Sequence, residues 1–229
     1  MKISFQQNVR RGKTEEILKE LGCAFERKDD GTLFVPAEIN LSGKNLKKLP
    51  DLGLVHLGGN FYCENNPDLQ NLIGAPYRTD SNFFCGRNDR LSSLAGAPEE
   101  VGNDFSCFGL PALESLHGAP RKTGLNFICS GSPWVASLAG GPEETGGFYK
   151  CDKMPRVTSL EGAATKFFEL TSDFGSFKTW ADVPEELKIS DATRRRIKEE
   201  EVAAEVRGAT VVQQAFRIAG PLKIRGFKP

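Results

Sequence analysis

Read for hydrophobic and polar positions alone, the middle of the chain keeps returning to one pattern. In VGNDFSC, Val101 to Cys107, apolar Phe105 and Cys107 alternate with Asp104 and Ser106, the period-2 signature of a short strand with one face inside. Leu110, Leu113 and Leu116 follow at three-residue steps. A Gly-Ala-Pro phrase then closes the unit, with a Gly that allows a tight bend and a Pro that fixes φ and lacks a donor. The whole pattern recurs every 22 residues. Leu72, Leu94, Leu116, Leu138 and Leu160 form one series, Cys63, Cys85, Cys107, Cys129 and Cys151 a second. Phe61, Phe83, Phe105, Phe127 and Tyr149 form a third, and Gly74, Gly96, Gly118, Gly140 and Gly162 a fourth. A fixed period of this length predicts stacked copies of one supersecondary unit. An earlier turn, INLSGKNLKKLP from Ile39 to Pro50, sets Ile39 and Leu41 at the Phe and Cys positions, which gives about six turns.

The ends depart from the period. Thr14-Glu-Glu-Ile-Leu-Lys-Glu-Leu-Gly22 predicts a helix with Thr14 as N-cap and Gly22 as stop, and AFERKDDGTLFVP predicts a hairpin turning at Asp30-Gly31. After Ala164, Phe167, Phe168, Phe174, Phe177 and Trp180 crowd into a short, irregular stretch that suits a closing cap. Ser190 to Arg207 is charged and reads as a helix stopped by Gly208. Val211, Val212, Ala215, Phe216 and Ala219 then fit a second helical face, or equally a strand. Three regions follow: an N-terminal helix and hairpin cap over 1–38, the repeats over 39–164, and an aromatic cap with a helical tail over 165–229.

In two turns, F-Y-C-E-N-N-P-D-L from Phe61 and F-F-C-G-R-N-D-R-L from Phe83, the repeat resembles the leucine-rich repeat family, in the longer form of its L-x-L-x-x-N-x-L pattern. The S-L-x-G-A-P and F-x-C phrases are similar to a bacterial and bacteriophage variant of it. The resemblance spans about Ile39 to Ala164. It implies an α/β leucine-rich-repeat solenoid with a parallel β-sheet on its concave face, capped at both ends, and a role in protein binding. The family's Asn is present as Asn66 and Asn88, while Leu110, Ser132 and Met154 replace it in later turns, which must satisfy the bend in another way.

Composition narrows the function. Thirty basic and 30 acidic residues balance, so no global charge points to nucleic acid or a membrane, and no apolar run reaches the length of a span. The start, MKISFQQNVRRGK, lacks the apolar core of a secretory signal. The one basic stretch is Arg207 to Pro229, with Arg207, Arg217, Lys223, Arg225 and Lys228 and no acid. Arg194, Arg195 and Arg196, followed by Glu199, Glu200 and Glu201, read as a solvated helix with (i, i+4) pairs. The cysteine series is expected to be a ladder of small buried hydrophobes beside the Phe series. Disulfides and zinc are the two alternatives: parallel side chains do not converge on one another, and neither His56 nor His117 sits in a ligand motif. Reduced thiols imply the cytoplasm.

No convergent nucleophile, base and stabiliser is visible, no phosphate loop or metal motif is present, and no cofactor is expected. The leading expectation is a non-enzymatic binding module that inhibits a host or immune protein, the inhibitory role resting on the resemblance alone. Its rivals are nucleic-acid binding through the basic C-terminal tail and a structural protein that self-associates through an unprotected end. The outward strand positions name the expected partner-binding residues: an apolar column with Tyr62, Phe84 and Ile128, joined by Phe108, a polar column of Asn60, Asn82, Asp104 and Asn126, and Trp134 on the flank.

Overall fold

The computed structural model describes residues 5–200 and 202–204, which fall in two compact units, one ending at Lys188 and one beginning at Ile189. The first unit is a β-solenoid with the 22-residue period. Each turn contributes two short strands separated by a corner, for example Glu100–Val101 and Phe105–Ser106. Strands of successive turns pair in parallel at a 22-residue offset, as Phe105 does with Phe127 and Lys122 with Glu144, and the offset shortens to 21 where Phe148–Cys151 meets Glu169–Ser172.

Two sheets result. The one built on the Phe and Cys series, here the Phe sheet, has eight strands: Ile39–Asn40, Phe61–Tyr62, Phe83–Phe84, Phe105–Ser106, Phe127–Ile128, Phe148–Cys151, Glu169–Ser172 and an antiparallel Gly175–Phe177. The other, the Thr sheet, has seven: an antiparallel Glu26–Arg27, then Leu33–Val35, Val55–Leu57, Arg78–Thr79, Glu100–Val101, Lys122–Thr123 and Glu144–Thr145. Among the described residues the repeats carry no helix, so the α/β composition expected of them is not met. The reason is local: in the representative turn Pro111, Gly118 and Pro120 interrupt the return limb, where a helix would need an unbroken run.

The core lies between the sheets. Phe61, Phe83, Phe105, Phe127 and Tyr149 are fully buried, with successive ring centroids 5.0, 5.3, 5.8 and 5.1 Å apart. Stacked and tilted rings at these separations add about 0.5–1.5 kcal/mol per pair beyond the area they bury. The five ladder cysteines are buried beside them, and the thiols of Cys85, Cys129 and Cys151 donate to the carbonyls of Ser106, Lys150 and Thr171 on the next strand. Burial pushes the Cys107 and Cys151 thiols up to about 12 and raises Cys63 further. Leu110, Leu113 and Leu116 close the third side of their turn.

Two backbone features set the shape of each turn. The second residue after the Leu or Cys position has positive φ in six successive turns: Gly43, Asn65, Arg87, Gly109, Gly131 and Lys153. Gly96 has φ +96, and a Cβ there would lie 2.4 Å from the Ile73 nitrogen of the preceding turn, so the backbones touch and only Gly fits.

At the N-terminal end the helix begins earlier than the sequence suggests. It spans Phe5–Glu20, and Thr14 lies inside it with its hydroxyl bonded back to the Arg10 carbonyl. Its end is as expected: Gly22 has φ +69, Cys23 N–H reaches the Leu18 carbonyl and Gly22 N–H reaches Lys19, a Schellman stop. The hairpin at Asp30-Gly31 is present, with the Asp30 carboxylate accepting from both Thr32 N–H and its hydroxyl. At the other end Glu169–Ser172 and Gly175–Phe177 continue the Phe sheet as a hairpin rather than an irregular stretch. Phe167, Phe177 and Trp180 pack on the core, while Phe168 and Phe174 are exposed.

In the second unit, residues 191–200 are helical, in agreement with the charged helix read from the sequence. Gly208, the segment around Phe216 and the basic stretch from Arg207 lie outside the described residues. No helix among the described residues is long and apolar enough to cross a membrane.

Candidate binding face

Strand alternation decides which side chains can meet a partner. In the Phe sheet, Phe and Cys point in, so the residue between them and the one after Cys point out. The outward pairs are Tyr62 and Glu64, Phe84 and Gly86, Ser106 and Phe108, Ile128 and Ser130, and Lys150 and Asp152. These residues, with Arg87 taking the place of Gly86, line one shallow groove of about 630 Å³. Four of the expected binding residues, Tyr62, Phe84, Phe108 and Ile128, therefore share one face.

The groove has a definite relief. Tyr62 and Phe84 stack at 5.2 Å with planes 18° apart, and Phe108 is 38% exposed. Ser106 and Ser130 are buried at the floor, and the Ser130 hydroxyl donates to the Asp152 carboxylate. Lys150 places its ammonium 5.2 Å from the centre of the Phe148 ring. Among the described residues, Glu64, Arg87 and Lys150 form no ion pair.

The polar column is engaged elsewhere. Asn82 Oδ1 accepts from Asp104 N–H at 3.0 Å, Asp104 Oδ1 from Asn126 N–H at 2.9 Å and Asn126 Oδ1 from Phe148 N–H at 2.8 Å. Asn60 Oδ1 takes Asn82 N–H, the Asn82 amide and the Ser81 hydroxyl, and its own amide donates to the Tyr62 hydroxyl. Each side chain thus satisfies the corner backbone of the following turn. Their joint work is to hold successive corners together, which leaves the apolar residues as the free part of the face. A side-chain acceptor recurring just before each strand was the available signal, since corners leave backbone donors outside the ladder.

Trp134 does not line the groove. It stands 57% exposed in the column of Asp68, Arg90 and Arg156, with the Arg156 guanidinium 5.1 Å from its ring centre. His117 is exposed, and His56 pairs with Asp80 at 2.8 Å on the Thr sheet.

The outward side of the Thr sheet provides the contrast. Its charges alternate in sign from strand to strand and pair with one another: Arg121 with Glu143, and Lys122 and Lys166 with Glu144. Lys166 and Arg27 hold the carboxyls of Glu144 and Glu15 below the ordinary range. Exposed pairs of this kind add little stability, but they leave few charges seeking a partner. No cluster of His, Cys, Asp and Glu among the described residues is arranged to hold a metal. Comparison with protein-family models, with curated proteins and with solved structures finds no match to this chain.

Proposed function

We propose that this chain is a non-enzymatic protein-binding module of leucine-rich-repeat type that grips its partner through the outward face of the Phe sheet. One observation carries the reading: four large apolar side chains, Tyr62, Phe84, Phe108 and Ile128, line a single groove on a backbone braced at every corner. An exposed contiguous apolar patch of this kind marks an interaction site more often than chance, and aromatic anchors dominate such contacts. A rigid scaffold also reduces the ordering cost of binding. The resemblance of the repeats supports a narrower version, in which a bacterial or phage protein in the cytoplasm captures and inhibits a host or immune protein.

The test is affinity capture from the native host followed by mass spectrometry, with wild type beside a Tyr62→Ala, Phe84→Ala variant. Both residues are only half-buried, so the variant should melt within a few degrees of wild type yet lose its partner. Retention of the partner by that variant, together with its release on truncation after Gly220, would move the site to the basic tail. Nucleic-acid binding by that tail would then fall steeply with salt.

A further inference from the structure

The relief of the groove is self-complementary. In four of the five strands the two outward side chains are matched opposites: Phe84 beside Gly86, Phe108 beside Ser106, Ile128 beside Ser130, and cationic Lys150 beside anionic Asp152, while in the first strand Tyr62 stands beside Glu64. The large member changes column between Phe84 and Phe108 and changes back at Ile128. Two such faces can meet through a two-fold axis that lies in the interface either along the solenoid or along the strands. An axis along the solenoid keeps each strand level with its own copy and exchanges the two columns. Phe84 then sits over the partner's Gly86, Phe108 over the partner's Ser106 and Ile128 over the partner's Ser130. Lys150 meets the partner's Asp152, twice by symmetry. An axis along the strands instead reverses the order of turns and sets Glu64 against the partner's Asp152, also twice. Like charges brought together in an interface are disfavoured, so only the first arrangement suits this face.

We propose that the occupant of the groove is a second copy of this chain, docked face to face with the two solenoids running in the same direction. The inference rests on the reading of this face as an interaction surface and names a partner for it. Five strands about 4.8 Å apart and two columns of side chains give a contact on the order of a few hundred Å² per copy, well below that of a standard interface. The dimer is therefore weak, with a dissociation constant on the order of 100 μM, and a tighter heterologous partner would displace it.

Sedimentation equilibrium of the full chain between about 10 μM and 1 mM tests the proposal over that range. Wild type should show a reversible monomer–dimer equilibrium. Lys150→Asp, at an exposed position, should raise the dissociation constant at least about tenfold with an unchanged near-ultraviolet spectrum, and Asp152→Lys should do the same. Combining the two restores opposite charges across the axis and should recover the dimer. A wild type that stays monomeric throughout overturns the inference, and so does a Lys150→Asp variant that associates as wild type does. Neither result touches the capture experiment with Tyr62→Ala, Phe84→Ala, whose failure would instead remove the face as the site for a different protein.

Discussion

The early and late turns of the solenoid solve the same bend with different chemistry. In the early turns an asparagine sits inside the bend. The Asn66 side chain accepts from Lys44 and Leu46 N–H and donates to the carbonyls of Leu41, Cys63 and Glu64, while Asn88 donates to Cys63 and Cys85 and accepts from Asn66 N–H. In the late turns the position holds Leu110, Ser132 or Met154. The left-handed residue just before it changes in step. It is Asn65 or Arg87 where an inner asparagine follows, and Gly109 or Gly131 where Leu110 or Ser132 follows. A bend without an asparagine of its own, as at Gly43, Gly109 and Gly131, thus recurs with the one residue for which positive φ carries no steric cost. The turn at Lys153 uses a third device, in which the Asp173 carboxylate accepts from Lys153 and Met154 N–H, at 2.7 and 2.8 Å. The inner asparagine is thus one of three ways in which these turns hold the bend.

If this comparison is right, the early turns should be the ones that fail when the inner side chain is removed. Asn66→Ala strips several backbone groups of their partners at a fully buried site, and the expected loss is about 2–4 kcal/mol. Denaturant unfolding measures it, with Leu110→Ala as the late-turn control. That variant should lose stability by cavity formation alone, with no change in hydrogen-exchange protection at the bend. Equal loss of amide protection at both bends would mean that the asparagine has no special role.

The backbone half of the comparison predicts a smaller loss in the late bends and almost none in the early ones. Gly131→Ala forces a Cβ into φ +76 without a compensating side chain and should cost about 1–2 kcal/mol. Arg87→Gly removes the same strain at φ +54, but it also loosens the unfolded chain, so the net change should stay within about 0.5 kcal/mol of zero. A Gly131→Ala variant as stable as wild type would show that the late bends relax out of the left-handed region.

How much of this was legible in the sequence depended on whether the signal was periodic. The inward Phe, Cys and Leu series repeat an identity every 22 residues, so burial of Phe105, Cys107 and Leu116 could be read directly. The outward apolar residues vary from turn to turn, yet Tyr62, Phe84, Phe108 and Ile128 were found because alternation assigns their side once the inward residues are known. The Thr sheet was missed. Its strands are two residues long in the middle turns, and their inward residue is Thr79, Val101, Thr123 or Thr145, a mostly polar series without an apolar alternation to reveal it. The role of Asn60, Asn82, Asp104 and Asn126 was only half visible. Their outward, polar character was clear, but the donors they satisfy lie one turn away, and that contact exists only once the turns are stacked. The early start of the helix has a similar cause. Thr14 is a good N-cap residue in isolation, and nothing local shows that its hydroxyl instead bonds back to Arg10 within a longer helix.

The smallest expected effect concerns the price of polarity in the late half. Among the described residues, the buried side-chain atoms left without a hydrogen bond are Ser132 Oγ and Tyr149 OH, and both belong to late turns. Ser132 occupies the place of Asn66 and Asn88 but is too short to reach their carbonyl partners. Tyr149 continues the Phe stack with its ring 5.1 Å from that of Phe127, and its hydroxyl meets the backbone near Gly141, where an added Cβ would lie 2.9 Å from it. Burial raises the Tyr149 hydroxyl well above the usual phenol range, so it stays protonated and its cost is that of a neutral donor without an acceptor. Tyr149→Phe keeps the ring and removes the orphan group, which should leave stability unchanged or raise it by up to about 1 kcal/mol. Thermal melts should therefore rise by no more than about 4 °C. A clear loss of stability would place a partner on the hydroxyl, such as a buried water, and would show the late turns to be as fully satisfied as the early ones.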